Sequence, residues 1–128
     1  PSCRPTTSAA STPRSAAAID HFDSGALMLE AAAQGHASDM AARDYFDHVN
    51  VAGVNPSGRV GAAGYSPRLV AENIAAGQAT PESVVSGWLQ SPGHCANIMN
   101  SNFTELGVGY YPGGDYGHYW TQNFGKPQ

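Results

Sequence analysis

The chain has 128 residues and a mass of 13.3 kDa, enough for one domain but not for a second independent core. Charged residues make up 12% of it, with 6 basic against 10 acidic side chains and a net charge of −4; an average domain carries about 25% charged residues. This excludes a basic nucleic-acid footprint and a polybasic membrane patch, and the sequence holds no run of about 18 apolar residues that could span a bilayer.

Residues 1–24 are rich in Ser, Thr, Ala and Pro and lack periodicity, so they read as an extended N-terminal segment, with a folded domain over residues 25–126. A start at Pro1 rather than Met fits a removed leader or a trimmed chain. The preference for Ala, Gly, Ser, Thr, Asn and Tyr over Lys and Glu suits an exported protein. Cys3 and Cys95 are the two cysteines. An even count in an exported chain reads first as a disulfide, which would tether the N-terminal segment. Two free thiols are the alternative, as is a nucleophilic Cys95 beside His94, although neighbours on a helix do not face each other.

From Gly25 to Tyr45 the pattern is helical, with Asp23 or Ser24 as N-cap and Leu27, Ala31, Ala32, Met40 and Ala41 as the apolar stripe. Val49 to Pro67 is mostly loop, with one helical turn around Arg59–Ala63. Leu69–Ala75 reads as a strand. Thr80-Pro81 opens a second helix whose apolar face is Val84, Val85, Trp88 and Leu89. Ser91-Pro92-Gly93 ends it, and Ser91 caps a third helix to about Met99. The period then falls to two: Leu106, Val108 and Tyr110 alternate with Gly107 and Gly109. Pro112-Gly113-Gly114-Asp115 makes a turn, and His118 to Phe124 forms the second arm of an antiparallel hairpin. The order predicts an α+β domain with helices packed on an antiparallel sheet.

No nucleotide-binding glycine loop, CxxC, HExxH or GxSxG motif is present. Five histidines stand out in so weakly charged a chain. His48, His94 and His118 fall near element ends, where loops present side chains, whereas His36 lies within a helix and reads as a packing residue. Glu72 sits in the apolar run Leu69–Ala75, and a carboxylate buried there needs a partner. His48 and Glu72 are therefore candidates for a shared metal or ligand site. Glu30 and Glu82 read as a solvated helix residue and a helix-dipole partner. Tyr110, Tyr111, Tyr119 and Trp120 read as sheet packing.

Several stretches, taken in order, carry a family resemblance: His36–Ala41, Tyr45-Phe46-Asp47-His48, Asn55-Pro56-Ser57-Gly58-Arg59, Gly64-Tyr65, Ala71-Glu72-Asn73-Ile74-Ala75 with Gly77, Trp88, Ser91-Pro92-Gly93-His94, Asn97-Ile98-Met99, Leu106–Gly109, and Tyr119-Trp120-Thr121-Gln122 with Phe124-Gly125. Together they resemble the short bacterial branch of the CAP superfamily, named for cysteine-rich secretory proteins, antigen 5 and pathogenesis-related proteins. The resemblance implies a three-layer α-β-α sandwich with a central antiparallel sheet, a secreted location and an open cleft. In the family that cleft carries two histidines and two glutamates and in some members a divalent cation such as zinc. The first histidine matches His48 and the first glutamate Glu72, with Asn73 beside it. The second glutamate position, three residues after Trp88, is Ser91, a departure from the pattern, and His94 is expected to supply a polar group nearby. The second histidine position, anchored on Thr121-Gln122, is Tyr119; His118 lies one residue early and reaches the cleft only if a bulge absorbs the offset.

With His48 and Glu72 as the firm ligands and His118 conditional, no cofactor is required and zinc would bind weakly. Some family members bind sterols, fatty acids or other lipids, or act at host–microbe surfaces. The expected function is thus a secreted, monomeric, non-catalytic module for a small apolar ligand or a cell-surface component. The alternative is a metal-assisted, protease-like hydrolase using His48 and Glu72.

Overall fold

The computed structural model describes Cys3 and residues 24–128. The rest of the expected extended segment, and the alternative helix cap at Asp23, lie outside the described residues. Seven elements follow in order: α1 (Ser24–Arg43), α2 (Pro56–Ala62), β1 (Pro67–Ala76), α3 (Pro81–Leu89), α4 (Pro92–Met99), β2 (Glu105–Gly113) and β3 (Gly117–Pro127).

Local chemistry explains most boundaries. The alanine-rich α1 has no internal proline and stops where Asp44 turns left-handed at φ 53°, a conformation Asp tolerates better than most non-glycine residues. The Asp44 carboxylate then accepts from the Asp115 N–H at 2.8 Å, tying the helix end to the β2–β3 turn. Only a turn around Arg59–Ala63 was expected next. The structure starts a helix three residues earlier, because the Asn55 side chain accepts from Gly58 N–H and Pro56 occupies the first turn without wasting a donor. Thr80 and Ser83 form a reciprocal capping box on α3. Ser91 holds the N-cap position of α4 but, contrary to expectation, its hydroxyl makes no capping bond; it is engaged by His94 instead, at 2.9 Å.

The sheet is three-stranded and antiparallel, in the order β1-β3-β2. Helices cover both faces, giving the α-β-α sandwich. Alternation along the strands sends Ile74 and Tyr119 toward α1, where they pack with Ala37, Met40 and Ala41. It sends Ala75 and Trp120 to the other face, against Val84 and Trp88. Trp88 also donates its indole N–H to the Ile74 carbonyl at 3.0 Å. α2 wedges between α1 and β1 through Leu29, Ala32, Val60 and Tyr65. The contact between α1 and β2 is backbone to backbone: a Cβ on Gly107 would overlap Leu29–Glu30, and one on Gly109 would overlap Ala33–Gln34.

Two expectations need correction. The buried stripe of α1 is Leu29, Ala32, Ala33, His36, Ala37, Met40 and Ala41; Leu27 is 47% exposed, because the stripe's phase is set by Leu29. Val85 is likewise exposed, one position off the line from Val84 to Trp88 that faces the sheet. Cys3 and Cys95 form a disulfide, with Cα atoms 5.8 Å apart. Neither sulfur is therefore a free thiol or a nucleophile.

Candidate functional site

β1 is an edge strand, and one side-chain cluster gathers over its middle. Glu72 points to the α1 side, with its side chain 1% exposed. A carboxylate so buried must be neutralised or hydrogen-bonded. Arg59, on α2, does both: Nη1 lies 2.7 Å from Oε2 and Nη2 lies 3.2 Å from Oε1. Nη2 also donates to the His48 carbonyl. From the loop after α1, the His48 Nδ1 meets Glu72 Oε1 at 2.9 Å. Asn123 stands opposite Glu72 in the ladder. With its amide turned to satisfy both neighbours, it donates to Oε2 at 2.8 Å and accepts from Ala33 N–H at 3.2 Å. Both carboxylate oxygens are thus engaged.

Asn73, next in sequence, faces the other layer. Its amide donates to the His94 carbonyl at 3.1 Å and to Gln122 Oε1 at 3.0 Å, while its oxygen accepts from Asn97 at 2.9 Å. This network fastens α4 to β1 and brings His94 up on the side opposite His48. The two imidazoles are close enough for the His48 charge to act on His94.

Their electrostatics differ. The Glu72 hydrogen bond raises the His48 pKa above the usual histidine value against the opposing effect of burial. Burial lowers the His94 pKa, and the His48 charge lowers it further. Burial on its own would push the Glu72 carboxyl up, but hydrogen bonds from His48 and Arg59 and the Arg59 charge outweigh it and hold the carboxyl below the usual range. His48 is 47% exposed, and its Nε2 has no hydrogen-bond partner among the described residues. That leaves one nitrogen fixed by a carboxylate and the other free to donate, accept or ligate.

The structure therefore brings His48, Glu72, Asn73, Ser91 and His94 together, with Gln122 behind them. It does not bring in His118. The β2–β3 ladder pairs Pro112 with His118 and runs to Glu105 opposite Gly125 without a bulge, so nothing absorbs the one-residue offset. His118 lies five positions along β3 from the Asn123 that faces Glu72, roughly 16 Å along a strand. His118 Nδ1 instead meets the Tyr110 hydroxyl at 2.7 Å. Tyr119 is fully buried against α1, in the core rather than the cluster. Arg59, Asn97 and Asn123 were missed from sequence. The signal for Arg59 was available, since a buried Glu72 demands a cation. Among the described residues no group of three or more His, Cys, Asp or Glu side chains is arranged to hold a metal ion.

His36 is a core residue. Its Nε2 bonds the Asp47 carbonyl at 2.7 Å, and Tyr45, which donates to Asp39 at 2.6 Å, packs edge-on against its ring. No helix among the described residues is long and apolar enough to cross a membrane.

The chain is 43% identical over 96 residues to the uncharacterised protein YkwD of Bacillus subtilis, and 36% identical over 92 residues to the uncharacterised membrane protein YlbC of the same organism. These stretches cover 75% and 72% of this chain but only 36% and 25% of the relatives, so it spans about a third of their length or less. Among solved structures, an SCP-domain extracellular protein of Bacillus anthracis superposes with a TM-score of 0.71 at 34% identity, over 77% of this chain and 32% of that one. An outer surface protein of Borrelia burgdorferi superposes with a TM-score of 0.72 at 26% identity, over 79% and 74%. The family model of the cysteine-rich secretory proteins matches residues 28–124, and the chain belongs to that family, CAP.

Proposed function

We propose that this chain is a secreted recognition domain whose open face around His48, Ser91 and His94 holds a small amphiphilic molecule or a cell-surface group without transforming it. The observation that carries this reading is the engagement of Glu72. A carboxylate whose two oxygens are bound by Arg59, His48 and Asn123 is a scaffold for His48, with no lone pair left to activate water or complete a metal shell. Phe46 and Val49, exposed on the loop that carries His48, add an apolar rim. The extracellular and outer-surface structural relatives support a location outside the cell. A divalent cation such as zinc would find two imidazoles and water here, a weak site. Titration with a fluorescent sterol and a fluorescent fatty acid tests the reading. Saturable uptake, weakened by His48→Ala and His94→Ala, is expected; no saturable uptake by the intact protein would overturn it.

One observation favours a hydrolase as the second reading. His48 is pushed toward its charged form and His94 toward its neutral form, the separation that assigns an acid and a base, and the Ser91 hydroxyl lies against His94. Ester and peptide substrates, with and without zinc, distinguish the two readings. Turnover lost in both histidine variants with folding retained establishes the hydrolase.

A further inference from the structure

β2 is the sheet edge opposite the one that carries Glu72. On its α3–α4 face, Tyr110 packs against the cluster of Val84, Trp88 and Trp120. Leu106 and Val108 lie on the same face, opposite Phe124 and Gln122 in the ladder, yet they are 45% and 41% exposed. Phe103 packs on the Phe124 ring with centroids 5.8 Å apart, and Met99, at the end of α4, is exposed as well. Single exposed apolar side chains are ordinary, but neighbours on one sheet face form a patch of the kind a partner covers.

The chain itself points to the occupant. Cys3 is bonded to Cys95 on α4, in the layer on this face. Ser24 begins α1 on the opposite face, and the next residue, Gly25, lies against the Glu105 carboxylate at the start of β2. Residues 4–23 therefore join one layer to the other and arrive beside this strand. Fully extended they reach about 66 Å, about twice the width of a domain of about 100 residues, so the tether at Cys3 leaves enough length to lie along β2. Between Cys3 and Ser24 the large apolar residues are Ile19 and Phe22. They stand five and two positions before Ser24, a reach of about 17 and 7 Å. Leu106 and Val108 stand one and three positions after Glu105, about 3 and 10 Å along the strand.

We propose that residues 16–22 of this chain cover this face, with the Ile19 and Phe22 side chains seated on Leu106, Val108 and Phe103. The N-terminal segment is then held twice, by the disulfide at α4 and by an apolar contact at β2, and it shields the part of β2 that α3 leaves open.

The test is NMR of the intact, oxidised chain, with dye binding as a second readout. Cross-peaks from the Ile19 methyls and the Phe22 ring to the Leu106 and Val108 methyls are expected, independent of protein concentration. Ile19→Ser/Phe22→Ser should remove them, raise the fluorescence of anilinonaphthalene sulfonate at least about threefold, and leave the His48 and His94 resonances in place. Absence of the cross-peaks in the native chain, or unchanged dye fluorescence in the double variant, would overturn the proposal. So would Leu106 and Val108 methyl shifts that move with protein concentration alongside a dimer in sedimentation, because a second copy of the chain would then be the occupant.

Discussion

Replacing Arg59 by Met should test whether the buried ion pair governs the cluster. Glu72 would then keep its 1% exposure but lose both guanidinium contacts, at 2.7 and 3.2 Å. Removing one partner of a buried pair costs about 3–5 kcal/mol, because an uncompensated charge remains. His48 and Asn123 still bond the carboxylate, so the low end, about 3 kcal/mol, is expected. In a domain near 100 residues this lowers the melting temperature by about 12–20 °C. Adding Glu72→Gln should return at least about half of the loss, since the stranded charge goes with it. The pH dependence carries a sign. In the wild type the Glu72 carboxyl is held below its usual value, so its contribution is present above the unfolded carboxylate pKa and lost as pH falls through the lowered folded value. Without Arg59, burial acts with less opposition and the variant protonates Glu72 at higher pH. The penalty should therefore be largest at pH 7 and shrink toward about pH 4. Urea denaturation of the three proteins across that range is the assay. A penalty under about 1 kcal/mol at pH 7, or one independent of pH, would refute the reasoning.

Reducing the Cys3–Cys95 bond, which closes a separation of 92 residues, should cost about 4–5 kcal/mol in the chain-entropy model; urea midpoints with and without dithiothreitol measure it. Iodoacetamide should label no thiol in the unreduced native protein. Gly107→Ala, whose Cβ would overlap the α1 backbone, should destabilise by about 3 kcal/mol, whereas Gly93→Ala, with open space around it, should stay within about 0.5 kcal/mol; thermal melts of both compare them. Burial, then the Arg59 charge, lowers the His36 pKa, so stability from neutral His36 is present above the unfolded histidine value and lost as pH falls below it. His48, with its pKa raised, contributes below that value and loses its contribution as pH rises. NMR titration should place the two imidazoles on opposite sides of about 6.5, and His48→Ala should remove only the loss on the alkaline side.

Much of the fold was legible because local signals agreed. Thr80-Pro81 fixed the start of α3 by a capping box, and the turn cluster after Tyr111 fixed the β2–β3 hairpin. The phase of α1 was harder to read: Ala is compatible with either a buried or an exposed helix face, so Leu27 and Ala31 were assigned to the wrong one. The burial of Glu72 could be read from its apolar neighbours. Its need for a cation could be read as well, but the placing of that cation on a helix was harder to read, because a run with Gly53, Gly58, Gly61 and Gly64 gives little periodicity and only the Asn55 cap reveals the helix that carries Arg59. For His118 the deciding quantity is ladder register, which depends on hydrogen bonds to β2 rather than on the residues of β3 alone.

The dipeptide Glu72-Asn73 explains why the cluster has two different imidazoles. Successive strand residues face opposite layers, so neighbouring polar side chains on β1 each control a different helix layer. Glu72 fixes the ring of His48 from the α1 side, and Asn73 fixes the backbone of His94 from the α4 side. Their ladder partners repeat the division: Asn123 serves Glu72, and Gln122 serves Asn73. The His48 imidazole is therefore held by a charge, whereas the His94 ring meets only the Ser91 hydroxyl, so the carboxylate drives one pKa up and leaves the other to fall with burial and the His48 charge. Exchanging the two residues would put an uncompensated carboxylate against Asn97 and Gln122 and strand Arg59 against an amide. The order Glu-Asn thus matches the two layers that clasp this edge strand, and it places the carboxylate where it raises the pKa of His48 and not that of His94.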